Sequence, residues 1–144
     1  MESTNGMTEA FLDTGYVVAL SNRKDEHHRK AQALAQQVSQ EQVRVITTQD
    51  VLVEIGNALR DVNRRSFAVK YIRAIEETST FDVVEATTDL FHRGLKLYEE
   101  RQDKDWSLTD CISFVVMRDR GVYDALTHDR DFKQAGFNAL LRDA

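Results

Sequence analysis

The chain has 144 residues, of which 42% are hydrophobic and 30% charged, and a net charge of -5. This length buries a core without disulfides or a structural metal, and this balance of apolar and charged residues excludes a disordered chain. The acidic total also excludes a strongly basic protein that coats nucleic acid, while leaving room for an enzyme that handles RNA through metal ions and a local basic patch.

In chain order, residues 1–8 read as a flexible extension of a single domain spanning 1–144. The polar start lacks a basic segment followed by an apolar stretch, so no secretory signal is expected and a cytoplasmic location follows by default. Ala10-Phe11-Leu12 suits a buried central strand. The run Tyr16 to Leu20 falls far short of the roughly 20 residues that span a bilayer, so no membrane attachment is expected. Ala31, Leu34, Ala35 and Val38 recur at the spacing of an amphipathic helix. Val43 to Ile46 reads as a second strand, and Thr47 with Asp50 predicts a capping box for a helix carrying Leu52, Ile55 and Leu59. A further helix is expected through Ala68, Tyr71, Ile72 and Ile75, then a strand over Phe81 to Val84 and a helix holding Phe91, Gly94, Leu95 and Tyr98. After a polar loop from Gln102 to Trp106, Ser107 opens a helix with Leu108, Cys111, Ile112, Val115 and Val116 on one face, ending near Gly121. Cys111, the one cysteine, excludes an internal disulfide and a cysteine-rich zinc site, and reads as a small core residue. A fourth strand over Val122 to Leu126, a short helix through Phe132 and an edge strand over Asn138 to Leu141 complete the chain. Alternating strands and helices imply a three-layer α/β/α sandwich around a parallel sheet of four to five strands.

Four acids, Asp13, Glu54, Asp110 and Asp129, fall near the points where strand-like runs pass into helices. In an open parallel sheet, groups beyond the carboxyl ends of the strands converge on one crevice. Each acid also has a plain structural reading. Asp110 lies three residues after Ser107 and suits a capping box, and Asp129 suits the cap of the short helix that follows it. Glu54, on the margin of an apolar helix face, and Asp13, directly after a strand core, are harder to explain, because an unpartnered buried carboxylate is costly. A shared divalent cation removes that cost. Carboxylate-only ligation suits magnesium, and manganese accepts the same set. Such a cation acidifies bound water and neutralises charge building on a phosphate, so phosphodiester hydrolysis fits best.

At these residues the chain resembles the PIN-domain ribonucleases, in particular the VapC-type toxins of prokaryotic toxin–antitoxin pairs. The resemblance is carried by Phe11-Leu12-Asp13-Thr14-Gly15, by Val53 to Leu59, and most specifically by Asp105 to Met117 and Ala125 to Phe137. It implies a parallel sheet covered on both faces and cleavage of RNA by one or two magnesium or manganese ions. It also implies the acid quartet Asp13, Glu54, Asp110 and Asp129, Thr127 as a polar helper, a homodimer and a cognate antitoxin. Asp13, Asp110 and Asp129 would hold metal, with Glu54 orienting or deprotonating the attacking water. The chain departs from the pattern in an additional acid, Asp105, five residues before Asp110: either could supply the third ligand, with Asp110 favoured because it opens the helix and Asp105 expected as an auxiliary ligand. Asp131 is a weaker ligand candidate that reads first as a helix N-terminal charge, and Thr14 is a second auxiliary residue.

Arg60, Arg64 and Arg65 lie in the densest basic region, which suits either RNA phosphates or a solvated helix surface. Trp106 and Tyr98 suit either base stacking or packing. Adjacent His27 and His28 point in different directions on a helix and make no zinc site. A PIN-like module that binds RNA or protein without cutting is the rival reading, and mutually repelling carboxylates argue against it.

Overall fold

A computed structural model describes residues 6–142. Among these, five strands form one parallel sheet in the order β3-β2-β1-β4-β5, with β1 at Glu9–Leu12, β2 at Arg44–Thr48, β3 at Phe81–Val84, β4 at Asp124–Leu126 and β5 at Asn138–Ala139. The helices are α1 (Thr14–Ser21), α2 (His28–Gln40), α3 (Gln49–Ala58), α4 (Arg65–Glu77), α5 (Thr88–Glu100), α6 (Leu108–Arg120) and α7 (Arg130–Gln134). One group packs α1 against α2 and α3 and α3 against α4, and a second packs α5 and α7 against α6. The sheet lies between helical layers, as expected. Its central strand is covered on both faces, which is why Ala10, Phe11 and Leu12 are continuously apolar and fully buried.

Strand β1 pairs with β2 on one side and β4 on the other, with Leu12 opposite Leu126. The chain therefore leaves β1 in one direction and returns on its other flank, which opens a crevice at the carboxyl ends of β1 and β4. Two bonds fasten that end of the sheet. The Thr47 hydroxyl donates to the Leu12 carbonyl at 2.8 Å, and the Asp13 N–H donates to the Leu126 carbonyl at 3.3 Å.

Several local expectations are corrected. Helix α1, which no expected element covers, fills the run Tyr16 to Leu20; Tyr16, Val17 and Ala19 are buried and Val18 and Leu20 partly so, and a segment apolar on nearly every side displays no helical period. The cap of α3 is Thr48, whose hydroxyl accepts from the Val51 N–H at 3.1 Å, and no Thr47–Asp50 box forms because Thr47 is committed to the strand end. Strand β4 begins at Asp124 rather than Val122, and β5 stops at Ala139, although the Leu140 and Leu141 N–H groups still donate to the Ala125 and Thr127 carbonyls. Of the expected flexible extension, residues 1–5 lie outside the described residues, whereas Met7 packs into the core and the Thr8 carbonyl accepts from the Arg44 N–H.

Helix α6 starts with the expected box: the Ser107 hydroxyl accepts from the Asp110 N–H at 3.0 Å and the Asp110 carboxylate from the Ser107 N–H at 3.3 Å. It ends at Gly121, whose φ of 65° is the left-handed conformation that glycine adopts without penalty. Gly94 on α5 is what lets α5 approach α6, since a Cβ there would collide with the Ile112 side chain and lie 3.3 Å from its Cα. Gly94→Ala is expected to destabilise the protein by about 1–3 kcal/mol. Urea unfolding reads this as a lower midpoint at unchanged slope, and an unshifted midpoint would contradict the close packing.

Candidate active site

The site is assembled at the seam between β1 and β4. Asp13 immediately follows β1 and is only 7% exposed. It occupies the N-cap position of α1 without capping it; instead its Oδ2 accepts from the Thr127 hydroxyl at 2.7 Å. Thr127, which follows β4, is wholly buried, and its Oγ1 also accepts from the Asp129 N–H at 3.1 Å. Asp129 in turn caps α7, accepting from the Asp131 N–H at 2.8 Å. A relay of short polar contacts thus fixes the β4–α7 turn to the end of β1. Across the crevice, Thr14 donates to Glu54 Oε1 at 2.7 Å, joining the first turn of α1 to α3.

These groups open onto one cavity of about 650 Å³. Asp13, Glu54, Asp110 and Asp129 all line it, although they come from four separate segments of the chain. Within it, oxygens of Asp110, Asp129 and Asp131 lie within 4.8 Å of one another. The expected metal set of Asp13, Asp110 and Asp129 therefore differs by one member from the closest-approaching trio. Asp131 enters because it is the first-turn acid of α7, two residues beyond the cap, whereas Asp13 Oδ2 is turned toward Thr127.

Electrostatics show what the crowding costs. Burial, reinforced by Glu54 and Asp129 and opposed by the bonds from Thr127 and the Thr14 backbone, raises the Asp13 carboxyl to about 7. Burial also raises Asp110 to about 7, with Asp13, Asp129 and Asp131 adding to the rise and the Ser107 backbone bond opposing it. Asp131 is raised by the same causes, burial first and then Asp129. Opposite charge favours the ionised forms. An all-carboxylate, partly buried donor set of this kind fits a hard divalent cation, and magnesium and manganese match it in preferring oxygen.

The other expected residues divide. Asp105 lines the cavity but is exposed and stands outside the close trio among the described residues. Thr14 and Thr127 both line it, each donating to an acid. Arg60 reaches the cavity. Arg64 instead pairs with Asp61 at 3.6 Å, and Arg65 donates through Nε and Nη2 to the Arg60 carbonyl at 3.2 and 2.7 Å. Trp106 is 3% exposed, its indole donates to Gln134 at 3.3 Å and the Arg101 guanidinium covers its ring at 5.0 Å, so it cannot stack on bases. Asn57, one turn after Glu54 on the same helix face, lines the cavity and is missed in the sequence, where its i, i+3 spacing from Glu54 is the signal to follow. His128 lines it too, with no signal in the sequence.

A parallel α/β sandwich whose switch point gathers buried, repelling carboxylates defines a class: domains with an acidic, cation-receptive centre. Residues 10–138 match the PIN domain, and the chain belongs to that family. It is 33% identical over 129 residues to the 23S rRNA-specific endonuclease VapC20 of Mycobacterium tuberculosis, in strains CDC 1551 and H37Rv, covering 88% of this chain and 94% of the relative. The crystal structure of M. tuberculosis VapC20, a Sarcin-Ricin loop cleaving toxin, is similar at a TM-score of 0.77 and 29% identity, covering 89% of this chain and 95% of that one.

A carboxyl whose folded pKa exceeds its unfolded value binds its proton more tightly when folded, so its contribution to stability grows as pH falls from above 7 toward 3.8. The cation-free protein is therefore expected to gain several degrees in Tm between about pH 8 and about pH 6. Magnesium should raise Tm more at the higher pH, and Asp13→Asn should flatten the pH dependence. Calorimetry showing Tm falling over that interval would contradict the assignment.

Proposed function

We propose that this protein is a magnesium- or manganese-dependent endoribonuclease of the VapC toxin type, and that its acidic cavity is the active site. The observation that carries the reading is the convergence of Asp13, Glu54, Asp110 and Asp129 on one cavity at the β1–β4 switch point. Its support is 33% identity to an endonuclease relative over 88% of this chain and 94% of that protein. Asp110, Asp129 and Asp131 would hold the cation, with Asp13 supplying the buried charge at the end of β1. When bound, the cation neutralises charge on the phosphate and acidifies water.

The chain's own groups do the remaining work. Glu54, held by the Thr14 hydroxyl, orients the attacking water and takes its proton as the water oxygen bonds to phosphorus and the ribose oxygen leaves. Thr127 holds Asp13 in register with Asp129. Arg60 at the cavity mouth draws in the RNA backbone, and Arg65 fixes the turn that presents it. The natural first substrate to test is 23S rRNA, the substrate named for the similar VapC20. A cognate antitoxin and a homodimer belong to the same reading. Val53 on α3 and Phe91 and Leu95 on α5 are exposed apolar side chains that a partner chain would cover. Among the described residues no helix is long and apolar enough to cross a membrane, and the reading places the protein in the cytoplasm.

Purified protein is expected to cleave RNA with manganese and to stop on chelation. Asp13→Asn should abolish cleavage with a native circular dichroism spectrum, and Arg60→Ala should raise KM about tenfold, the scale of one charge-assisted contact. Cleavage unaffected by chelator would overturn the metal assignment. Binding of RNA without any cleavage would favour the silent module.

A further inference from the structure

His27 and His128 are 101 positions apart, yet their rings are stacked, with centroids 4.6 Å apart and planes 10° from parallel. His128 is exposed and lines the acidic cavity immediately before Asp129. On another side its ring rests against Gly15: a Cβ on Gly15 would come within 2.9 Å of His128 Nε2 and 3.1 Å of Cδ2. The missing side chain at Gly15 is thus the space the imidazole occupies. His27 is itself held, its backbone N–H donating to Asp25 Oδ1 at 2.8 Å and its ring Nε2 lying 3.6 Å from Glu26 Oε1. The neighbouring His28 ties the start of α2 to α1 through Nδ1 and the Ala19 carbonyl at 2.7 Å.

We propose that His128, backed by His27 and seated on Gly15, is an aromatic platform on the cavity wall that stacks a base of the RNA next to the scissile phosphate. This rests on the ribonuclease reading of the cavity. An unbacked surface imidazole turns freely and loses that freedom on binding, whereas a ring backed on one face by His27 and stopped at its Nε2–Cδ2 edge by the bare Cα of Gly15 is oriented before the ligand arrives. Single-stranded RNA recognition uses such faces, because splayed bases stack on aromatic side chains, histidine included. The position selects the occupant: one residue from Asp129, the platform adjoins the place where the phosphate must sit. Stacking tolerates any base, so the platform contributes grip and alignment rather than a sequence code.

The test is steady-state cleavage of a short RNA by the full chain with manganese. His128→Ala is expected to raise KM about tenfold with kcat changed by less than about threefold, the range of one base–aromatic stack. His128→Phe, which keeps a face and loses the ring nitrogens, should return KM to near the wild-type value. His27→Ala should raise KM by a smaller factor, and the double His27→Ala/His128→Ala variant should be no worse than His128→Ala alone, since His27 acts only through its neighbour. Manganese affinity by calorimetry should be the same in all four, which separates the platform from damage at Asp129. An unchanged KM in His128→Ala, a His128→Phe variant as poor as alanine, or additive effects in the double variant would each overturn the proposal, as would a loss confined to binding of a protein partner. If wild-type protein cuts no RNA, the ribonuclease reading fails separately; oligoribonucleotide binding followed by anisotropy then decides the platform, and equal affinity of wild type and His128→Ala overturns it.

Discussion

Two strand ends meet where Thr127 donates to Asp13, and the geometry of the site depends on that buried contact. It crosses the seam between β1 and β4, the one place in this sheet where adjacent strands send their following segments apart. Because Thr127 also accepts from the Asp129 backbone, a single hydroxyl sets the distance between the two acids that follow β1 and β4. The capping box of α6 does the equivalent for Asp110, fixing a carboxylate by helix-start chemistry and leaving it at the cavity wall. Structural and chemical roles coincide in the same atoms here. The ordinary explanations of Asp110 and Asp129 as caps are correct, and they are also the means by which the cavity is lined.

Such an arrangement holds charge against its own repulsion. Both Asp13 and Asp110 are pushed to about 7, chiefly by burial and then by neighbouring acids. Local destabilisation of this type persists only when the surrounding core over-determines it. Phe11, Leu12, Leu126 and Phe132, all buried and within two residues of site residues in the chain, belong to that core. The site is therefore receptive to a cation because the fold, not the site, carries the stability.

Much of this was legible in the sequence, for identifiable reasons. Ala10-Phe11-Leu12 declared a central strand because burial on both faces leaves no polar alternation, and the acid following it was conspicuous through the cost of burying it. Glu54 was conspicuous for the same reason, although its partner is Thr14, a neighbour in space from another helix. Helix α1 was illegible because its burial on nearly every side erases the period that identifies helices. The arginines divide in space although Arg60, Arg64 and Arg65 are close in sequence: a turn at Asp61 leaves Arg60 lining the cavity, while Arg64 pairs with Asp61 and Arg65 bonds the Arg60 carbonyl. Asp131 gained its place from the geometry of a five-residue helix, and the His27–His128 stack joins opposite parts of the chain with no local pattern to betray it.

The claim that these distant carboxylates share one cation is tested most directly by anomalous diffraction from crystals grown with manganese. The account predicts an anomalous peak inside the cavity, coordinated by oxygens of Asp110, Asp129 and Asp131 and facing Asp13. Manganese found only at exposed lattice or surface acids, with the cavity carboxylates hydrogen-bonded among themselves, would contradict it.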